Sequence, residues 1–305
     1  MKKAVVFLNM GAPRNLDEVE LFLKNMFNDK NIITVKSDLL RAMIAQMIVF
    51  FRKKEAKENY KKLGGKSPLV EHTKEFNKVA SEVLKLFVTT IMRYTPPFAN
   101  EELKKLKEKD VDELVVIPLY PQYSTTTTKS SLEDLQEWLK KLKYSPKLKI
   151  VKDFYKEEFF LDAVEKKIKE TLGSFDSKEF DLIFSAHSLP KKIVKAGDPY
   201  QKQIEENVKL LRARGLEFNN IHLAYQSKLG PVEWLSPSLE DKLKEIDNKN
   251  VLIYPLSFIL DNSETEFELS LEYKEIAKKM GFKNYLVSSC INSDKEFIKG
   301  FAKFI

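Results

Sequence analysis

The sequence predicts an α/β protein in which doubly wound parallel sheets, flanked by helices, form two lobes. Short apolar runs alternate with longer amphipathic stretches along the 305 residues. Buried parallel strands are typically continuous runs of Val, Ile and Leu, because helices cover both faces of such a sheet. A length of 305 residues, at roughly 150 residues per domain, also favours two domains. Both halves place Pro-Leu near the end of an apolar run, at 118–119 and 255–256, which indicates two similar lobes.

The candidate strands are the short apolar runs, and the candidate helices are stretches whose apolar residues recur every three or four positions. Strands are predicted at 4–9, 88–94, 113–120, 148–155, 182–186, 221–226, 250–259 and 284–289. The clearest helices are predicted at 16–27, 129–142, 198–212 and 263–280.

We expect the chain to divide near residue 145. Residues 143–146 (Lys-Tyr-Ser-Pro) are a cluster that interrupts regular structure. The predicted lobes are an N-terminal lobe at 1–145 and a C-terminal lobe at 146–289. A C-terminal helix at 290–305 is expected to pack back on the first lobe.

Composition excludes several classes of protein. Hydrophobic residues make up 43% of the chain and charged residues 32%, which excludes a disordered or fibrous protein. The net charge of +7 is spread over stretches where lysine is interspersed with glutamate, so no nucleic-acid partner is expected. The single cysteine, Cys290, excludes a disulfide framework, and no apolar run approaches the ~18 residues of a membrane span. We therefore expect a cytoplasmic protein.

The loops after the strands carry the functional information, because ligands of parallel α/β sheets bind beyond the carboxyl ends of the strands. No zinc-protease, paired-cysteine, dinucleotide-binding or P-loop motif is present. Five of these loops are chemically distinctive, at 10–13, 120–128, 185–190, 226–231 and 261–264.

Of the three histidines, His187 is the candidate base. It follows a predicted strand directly and lies between two serines, and a neutral imidazole accepts protons readily near physiological pH. His72 lies in a helical stretch rich in Lys and Glu and is expected to face solvent. His222 lies inside a strand-like run, where a structural histidine is the better interpretation.

Three glutamates form the second candidate group. On a helix that begins near Ser263, Glu264, Glu268 and Glu272 are spaced at i, i+4 and i+8 and form one row beside the apolar stripe. One interpretation is a solvated acidic face, favoured by negative charge near a helix N-terminus. The other is a track of oxygen ligands for a divalent cation.

Six segments, taken in order along the chain, share one resemblance. They are LNMGAP (8–13), YKKLGGKSP (60–68), YPQYSTTT (120–127), FSAHSLP (184–190) with GDPY (197–200), QSKLGPVEWL (226–235) and the helix led by Glu264. Together they resemble the ferrochelatases, the family that inserts ferrous iron into a porphyrin. The resemblance implies two Rossmann-like lobes that clamp a porphyrin in a cleft.

The resemblance also implies roles for individual residues. His187 matches the histidine that accepts pyrrole protons, and Glu264 matches the glutamate that faces it. We expect these two to come from separate lobes. Glu268 and Glu272 match acidic residues on the path of the metal, so all four are predicted metal contacts. The predicted porphyrin contacts are Met10 beside the macrocycle, Arg52, Tyr60, Ser67 and, more weakly, Arg93 at the propionates, and Tyr123 and Trp234 along the pocket.

The function implied is that of a protoporphyrin IX ferrochelatase, because Met10 resembles the proteobacterial and mitochondrial forms. The alternatives are a coproporphyrin III ferrochelatase, a cobalt or nickel chelatase of similar fold, and a porphyrin- or haem-binding protein without turnover. Fe²⁺ is then a substrate, and no permanently bound cofactor is expected. An iron–sulfur cluster, which some relatives carry, is not expected with Cys290 alone.

Three further features bear on this assignment. Asn262 stands where the family often has a histidine, so His187 is the one imidazole expected in the pocket. Ser270 stands where the family often has an aspartate. The apolar stretch 42–51, followed by Arg52-Lys53-Lys54, is either a buried core helix or a lip that touches the inner face of the membrane peripherally.

Overall fold

The computed structural model describes residues 2–228 and 230–305 and divides the chain into two compact units. The first unit runs to Asp153 and includes Phe301–Ile305, and the second unit is Phe154–Gly300. Each unit contains one four-stranded parallel sheet with helices around it. The predicted α/β class, with two parallel sheets flanked by helices, is confirmed.

The first unit is built on strands β1 (Lys3–Asn9), β2 (Phe87–Met92), β3 (Glu113–Pro118) and β4 (Lys147–Ile150). Their order in the sheet is β2-β1-β3-β4, with every pair parallel. The central strands β1 and β3 are apolar and buried along their length because both faces of the sheet are covered. The edge strand β4 exposes Lys147 and Lys149, and such lysines discourage pairing with another chain.

The helices of the first unit follow apolar periodicity and capping signals. Ser37 caps the longest helix by accepting a hydrogen bond from the N–H of Leu40. Phe76 is fully buried and packs edge-on against Phe7 of β1, with ring centroids 5.0 Å apart. The helices are α1 (Glu18–Phe27), α2 (Asp38–Lys62), α3 (Leu69–Leu84), α4 (Ala99–Glu108) and α5 (Ser130–Lys141), with a short π-helix at Thr125–Lys129.

One side of α2 is apolar and exposed. Leu39, Met43, Met47, Phe50 and Phe51 are each more than half accessible. Their spacing places them on the same side of the helix. The interpretation of this stretch as a buried core helix is therefore wrong.

The second unit repeats the sheet plan with strands β5 (Asp181–His187), β6 (Asn220–Gln226), β7 (Asn250–Pro255) and β8 (Asn284–Val287). Their order is β6-β5-β7-β8, again parallel throughout. The helices are α6 (Glu158–Leu172), α7 (Lys191–Lys195), α8 (Tyr200–Ala213), α9 (Leu239–Glu245), α10 (Tyr273–Lys279) and α11 (Lys295–Gly300), with a π-helix at Glu264–Glu272.

Three details differ from the sequence-based expectations. The units divide at Asp153 rather than near residue 145, because β4 pairs with β3 of the first sheet. The single helix expected at 290–305 does not form: α11 covers Lys295–Gly300 and belongs to the second unit. Of the expected helix, only Phe301–Ile305 belong to the first unit. The helix expected at 263–280 is π-helical before it becomes α10. Nowhere in the described ranges is a helix both long and apolar enough to cross a membrane.

Candidate active site

The candidate base lies at the carboxyl end of the second sheet. His187 is the last residue of β5, and Glu264 begins the π-helix that follows β7. Because β5 and β7 are paired, the two residues meet, with His187 Nδ1 2.7 Å from Glu264 Oε2. The expectation that they come from separate lobes is wrong, since both belong to the second unit. About a third of each side chain is accessible, 36% for His187 and 32% for Glu264.

The main chain of His187 is fixed as firmly as its ring. Its N–H donates to Ser257 Oγ at 2.8 Å, and its carbonyl accepts a hydrogen bond from the Tyr200 hydroxyl at 2.9 Å. The hydroxyls of Tyr200 and Ser257 lie 2.8 Å apart. Asp198 holds the start of α8 by accepting from the N–H of Tyr200 at 2.9 Å. The GDPY segment therefore positions the main chain of His187, through the hydroxyl of Tyr200. This contact could not be predicted from the sequence.

Asn262 fixes the backbone in front of Glu264. Its Oδ1 accepts a hydrogen bond from the N–H of Glu264 at 2.8 Å, and its Nδ2 donates to the carbonyl of Leu260 at 3.1 Å. Thr265 Oγ1 accepts from the N–H of Asn262 at 3.0 Å. Both ends of the side-chain amide are thus bonded to main-chain groups next to the first turn of the helix, and the contact with the N–H two residues on is an Asx turn, which asparagine forms readily.

The glutamates lie on a π-helix rather than an α-helix. The N–H of Tyr273 donates to the carbonyl of Glu268, five residues back. Ser270 Oγ donates to the carbonyl of Thr265, also five residues back, at 2.8 Å. The prediction of an α-helical row is therefore wrong, because hydrogen bonds over five residues widen the turn. Turns of π-helix are rare in proteins, and those that occur are often found at functional sites.

Glu268 is held by the loop that follows β6. The N–H of Ser227 donates to Glu268 Oε1 at 2.8 Å, and the Ser227 hydroxyl donates to Oε2. Gln226 Nε2 lies 3.3 Å from the same Oε2, and Gln226 Oε1 accepts from Ser185 Oγ at 2.7 Å. Gln226 and Ser227 were part of a recognised motif, but nothing in the sequence assigned them to this carboxylate.

The charges of this cluster move the pKa values of its members in different directions. Burial lowers the pKa of His187, but the charge and hydrogen bond of Glu264 outweigh burial and leave that pKa above its ordinary value. Burial raises the pKa of Glu264, but the charge of His187 and the hydrogen bonds from His187 and Ser227 outweigh it and leave that pKa below its ordinary value. Burial and the charge of Glu264 raise the pKa of Glu268 to about 7. The carboxylate of Glu264 thus makes His187 a stronger base than a free imidazole, beside the Glu268 carboxyl group with its pKa of about 7.

The structure brings together three of the four predicted metal contacts. His187, Glu264 and Glu268 belong to one hydrogen-bonded cluster, whereas Glu272 is exposed at the end of the π-helix. In the part of the chain that the structure describes, no three His, Cys, Asp or Glu side chains are arranged to hold a metal ion. Contact of these four residues with iron stays a prediction.

Two predicted porphyrin contacts follow strands of the first sheet. Met10 comes directly after β1, is half-buried, and its carbonyl accepts from the N–H of Tyr94 at 2.9 Å. Arg93 comes directly after β2 and is held by two carboxylates, Asp29 at 3.3 Å and Asp134 at 3.6 Å. The guanidinium is therefore already neutralised, and its contact with a propionate stays a prediction.

The remaining predicted porphyrin contacts differ in how far their side chains are buried. Arg52 is half-buried on α2 and makes no ion pair with any residue that the structure describes, whereas Tyr60 on the same helix is buried. Ser67 is fully buried, and its hydroxyl accepts from the N–H of Leu69 at the start of α3 at 3.3 Å. Tyr123 is half-buried in the loop after β3, and the half-buried Trp234 pairs through its backbone with Pro190, near His187.

The other histidines lie outside this cluster. His222 Nε2 is 2.9 Å from Asp181 Oδ2, which confirms the interpretation of His222 as a structural residue. His72 lies on α3 of the first unit and is half-buried.

The cluster can accept a proton and present oxygen ligands at the same place. Because His187 uses Nδ1 for Glu264, Nε2 is the nitrogen left to accept a proton. An imidazole that gains a proton beside a carboxylate is stabilised as an ion pair and is therefore a stronger base. Imidazole and carboxylate are also both ligands of ferrous iron in proteins.

The two-sheet fold is that of the chelatases. SirB from Bacillus subtilis, solved with Fe³⁺, aligns with a TM-score of 0.59 over 99% of this chain and 94% of that chain. Sequence identity over this alignment is 12%, so the likeness shows the fold alone.

Sequence comparison gives the family. The Ferrochelatase family model matches residues 2–305. A ferrochelatase of a Nitratiruptor species is 52% identical over 298 residues, which cover 97% of this chain and 96% of that protein. One from Sulfurimonas denitrificans is 49% identical over 307 residues, which cover 98% of this chain and 96% of that protein. The chain belongs to the ferrochelatase family, whose members are enzymes that insert a metal ion into a porphyrin in haem biosynthesis.

Proposed function

We propose that this protein is a protoporphyrin ferrochelatase, a lyase that inserts Fe²⁺ into protoporphyrin IX and gives protohaem in the last step of haem biosynthesis. The contact between His187 and Glu264 carries the proposal, because two pyrrole protons have to leave before the four nitrogens can bind a metal. Porphyrin and ferrous iron are the substrates. The proposal includes no resident cofactor and no iron–sulfur cluster, since the one cysteine, Cys290, is fully buried.

His187 is proposed to take the pyrrole protons. Its Nε2 is free of Glu264, and about a third of the side chain is accessible to a substrate. Glu264 keeps the ring oriented and stabilises the imidazolium that forms. General-base catalysis by one positioned side chain is worth about 10²–10⁴-fold in rate.

The glutamates are proposed to accompany the metal. A divalent cation that arrives hydrated has to exchange water for protein oxygen step by step, and carboxylates offer such oxygens. Glu272 is exposed and is proposed as the first contact, followed by Glu268 and Glu264. The metal then leaves carboxylate oxygens for the pyrrole nitrogens.

The porphyrin is proposed to contact both apolar and cationic side chains. Met10, Tyr123 and Trp234 are the proposed contacts of its macrocycle, and contacts that bend the macrocycle would expose the nitrogen lone pairs. Arg52 is the main anchor for a propionate, since no ion pair with a described residue occupies it. Tyr60, Ser67 and Arg93 are the further propionate contacts.

The choice between protoporphyrin IX and coproporphyrin III is testable in one assay. Purified protein is mixed with Zn²⁺, or anaerobically with Fe²⁺, and with either porphyrin, and conversion of the absorption bands is followed. We expect kcat/KM for protoporphyrin IX to exceed that for coproporphyrin III by at least about tenfold, because Met10 offers an apolar wall. Faster turnover of coproporphyrin III would instead establish the alternative enzyme. Binding of porphyrin without any band conversion would indicate a carrier, and preference for Co²⁺ or Ni²⁺ a different chelatase.

We further propose that α2 attaches this cytoplasmic protein reversibly to the inner face of the membrane. Leu39, Met43, Met47, Phe50 and Phe51 expose one continuous apolar side. The residues that follow, Arg52-Lys53-Lys54, are cationic and would favour anionic lipid. A hydrophobic porphyrin arriving from the bilayer would then meet the protein at its site of entry.

Flotation with anionic vesicles tests this attachment. We expect wild-type protein to float with the vesicles and to be released by high salt, because part of the attraction is electrostatic. The double variant Phe50→Glu/Phe51→Glu should stay at the bottom of the gradient while turning over detergent-solubilised porphyrin normally. Phe175→Glu, which changes an exposed phenylalanine of the second unit, is the matched control. Absence of wild-type protein from the floated fraction would refute the attachment.

A further inference from the structure

Ser227 is the residue through which the loop after β6 holds the π-helix. Its N–H donates to Glu268 Oε1 at 2.8 Å, and its hydroxyl donates to Glu268 Oε2. One residue thus binds both oxygens of one carboxylate. The same hydroxyl lies 3.3 Å from Glu264 Oε2, so Ser227 stands between the two carboxylates.

The backbone of Ser227 has a left-handed conformation, with a φ of +65°. Residues with a Cβ rarely adopt this conformation, and among them asparagine and aspartate are the usual exceptions. Glycine adopts it freely. A serine at this position therefore indicates a use for the hydroxyl, and the contacts with Glu268 and Glu264 supply that use.

On Glu268 Oε2, no other described contact is as close as the Ser227 hydroxyl. The carboxylates of Glu264 and Glu268, which both contact the Ser227 hydroxyl, repel each other when both are charged. Besides Ser227, Gln226 is the neighbour that donates to Glu268, over a longer distance of 3.3 Å. Without the Ser227 hydroxyl, the N–H of residue 227 still binds Oε1, but Oε2 keeps only the longer contact with Gln226 and is free to turn away from Glu264.

We propose that Ser227 is a positioning residue for metal insertion, which orients the Glu268 carboxylate beside the His187–Glu264 pair so that it can pass on the incoming metal ion. This role rests on the proposed function and assigns Ser227 to the metal step rather than to porphyrin binding. Its loss therefore affects the kinetics of the two substrates differently.

The variant Ser227→Gly separates this role from a structural one. It removes the hydroxyl, keeps the N–H and relieves the left-handed backbone, so its melting temperature should equal or exceed that of the wild type. We expect kcat/KM for Zn²⁺ or Fe²⁺ to fall roughly 10- to 100-fold, since a hydrogen bond to a charged group is lost. KM for the porphyrin should not change.

Lys85→Gly is the matched control. Lys85 is exposed at the end of α3 and also has a left-handed backbone, with a φ of +53°. Its replacement relieves the same kind of strain in the first unit, whereas the cluster belongs to the second unit. We expect wild-type kinetics for both substrates.

A crystal structure of the Ser227→Gly protein gives a second readout that does not depend on activity. We expect the Glu268 carboxylate to have turned, with Oε2 moved away from residue 227, while the retained N–H of residue 227 still binds Oε1. Wild-type kcat/KM for the metal, or an unmoved Glu268, would overturn the role of Ser227 and leave the proposed function intact. Failure of the wild-type protein to insert any metal would overturn the proposed function and this role together.

Discussion

One imidazole is expected to serve the whole candidate active site. His187 is the one histidine beside the π-helix in the described residues, since His222 is bound to Asp181 at the opposite end of the sheet and His72 lies in the first unit. Asn262, which stands where the family often has a histidine, has both ends of its side-chain amide bonded to main-chain groups. Under the proposed function, we therefore expect proton removal to depend on His187 alone.

The variant His187→Ala tests this dependence. We expect its rate of metal insertion to fall by about 10²–10⁴-fold, because no second imidazole can take over as base. The readout is the conversion of porphyrin absorption bands under saturating metal. Turnover at the wild-type rate would remove His187 from the mechanism.

The glutamates are expected to differ in importance according to their distance from the base. Glu264→Gln removes the charge that contacts His187, so we expect a loss of kcat comparable to that of His187→Ala. Glu272→Gln changes an exposed side chain, and we expect a rise in KM for the metal of less than about tenfold, with little effect on kcat. Steady-state kinetics with varied Zn²⁺ measure both values. Equal defects in the two variants would contradict a graded path.

At the scale of single residues, the ionisable side chains of the candidate site could be predicted from the sequence, but their hydrogen-bond partners could not. His187 and Glu264 were predicted because each follows an apolar run and carries an obvious chemical group. Ser257, Tyr200 and Ser227 are small or common hydroxyl residues, and their partners lie far away in the chain. Which hydroxyl meets which main-chain group depends on the order of β5, β6 and β7, which local sequence patterns do not contain.

At the scale of single elements, side-chain hydrogen bonds determine which kind of helix forms, and apolar periodicity alone does not. A helix forms within the predicted range 263–280, but residues Glu264–Glu272 are π-helical. Ser270 Oγ bonds to the carbonyl of Thr265 there, and Asn262 fixes the first turn. Apolar residues at three- and four-residue spacing fit either kind of helix, so the sequence pattern alone predicted the commoner one.

The contact between α11 and α6 sets a strict limit on side-chain size. A Cβ on Gly300 would overlap Cγ of Phe159, since carbon atoms pack no closer than about 3.5–4.0 Å. Helix propensity favours alanine over glycine by about 1 kcal/mol. The overlap outweighs this gain, so we expect Gly300→Ala to lower the free energy of unfolding by about 1–3 kcal/mol. Urea denaturation measures the change, with the exposed Lys299→Ala as control; an unchanged midpoint would show that Phe159 moves aside freely.

The start of β5 makes the stability of the second unit depend on pH. Burial raises the pKa of Asp181, but hydrogen bonds from His222, Asn219 and Asn248 outweigh burial and hold that pKa below its ordinary value. A carboxyl group with a lowered pKa in the folded state stabilises the protein above its unfolded-state pKa. This stabilisation is lost as the pH falls through the folded-state pKa.

Asp181→Asn is therefore expected to weaken the acid dependence of unfolding. Its free energy of unfolding at pH 7 should be lower than that of the wild type by about 1–3 kcal/mol, and the difference should shrink towards pH 3. Urea denaturation at pH 7, 5 and 3 measures this, with the exposed Asp17→Asn as control. A difference that stays constant over this range would show that the charge of Asp181 is not involved.

At the scale of the whole molecule, the two units repeat one plan with different chemistry. In each sheet the third strand ends in Pro-Leu, and the leucine N–H donates 2.8 Å across to the first strand, from Leu119 to Leu8 and from Leu256 to Ser185. A π-helix follows in each unit, rich in threonine at 125–129 and in glutamate at 264–272. The shared Pro-Leu was visible in the sequence. The division at Asp153 was not visible in the sequence, because β4 has only four residues and exposed lysines alternate with apolar residues along it.

A measurement of protein stability with and without porphyrin is expected to show whether a variant has lost substrate binding or only catalysis. A ligand that binds only the folded protein stabilises it by about 2.7 kcal/mol at a free concentration of 100 times Kd. Metal-free protoporphyrin should therefore raise the unfolding midpoint of the wild type. It should raise that of His187→Ala equally, because His187 is assigned to accepting protons and Met10, Arg52 and Trp234 to holding the porphyrin. If the variant loses this stabilisation, His187 contributes to affinity, and its loss of turnover no longer measures base catalysis.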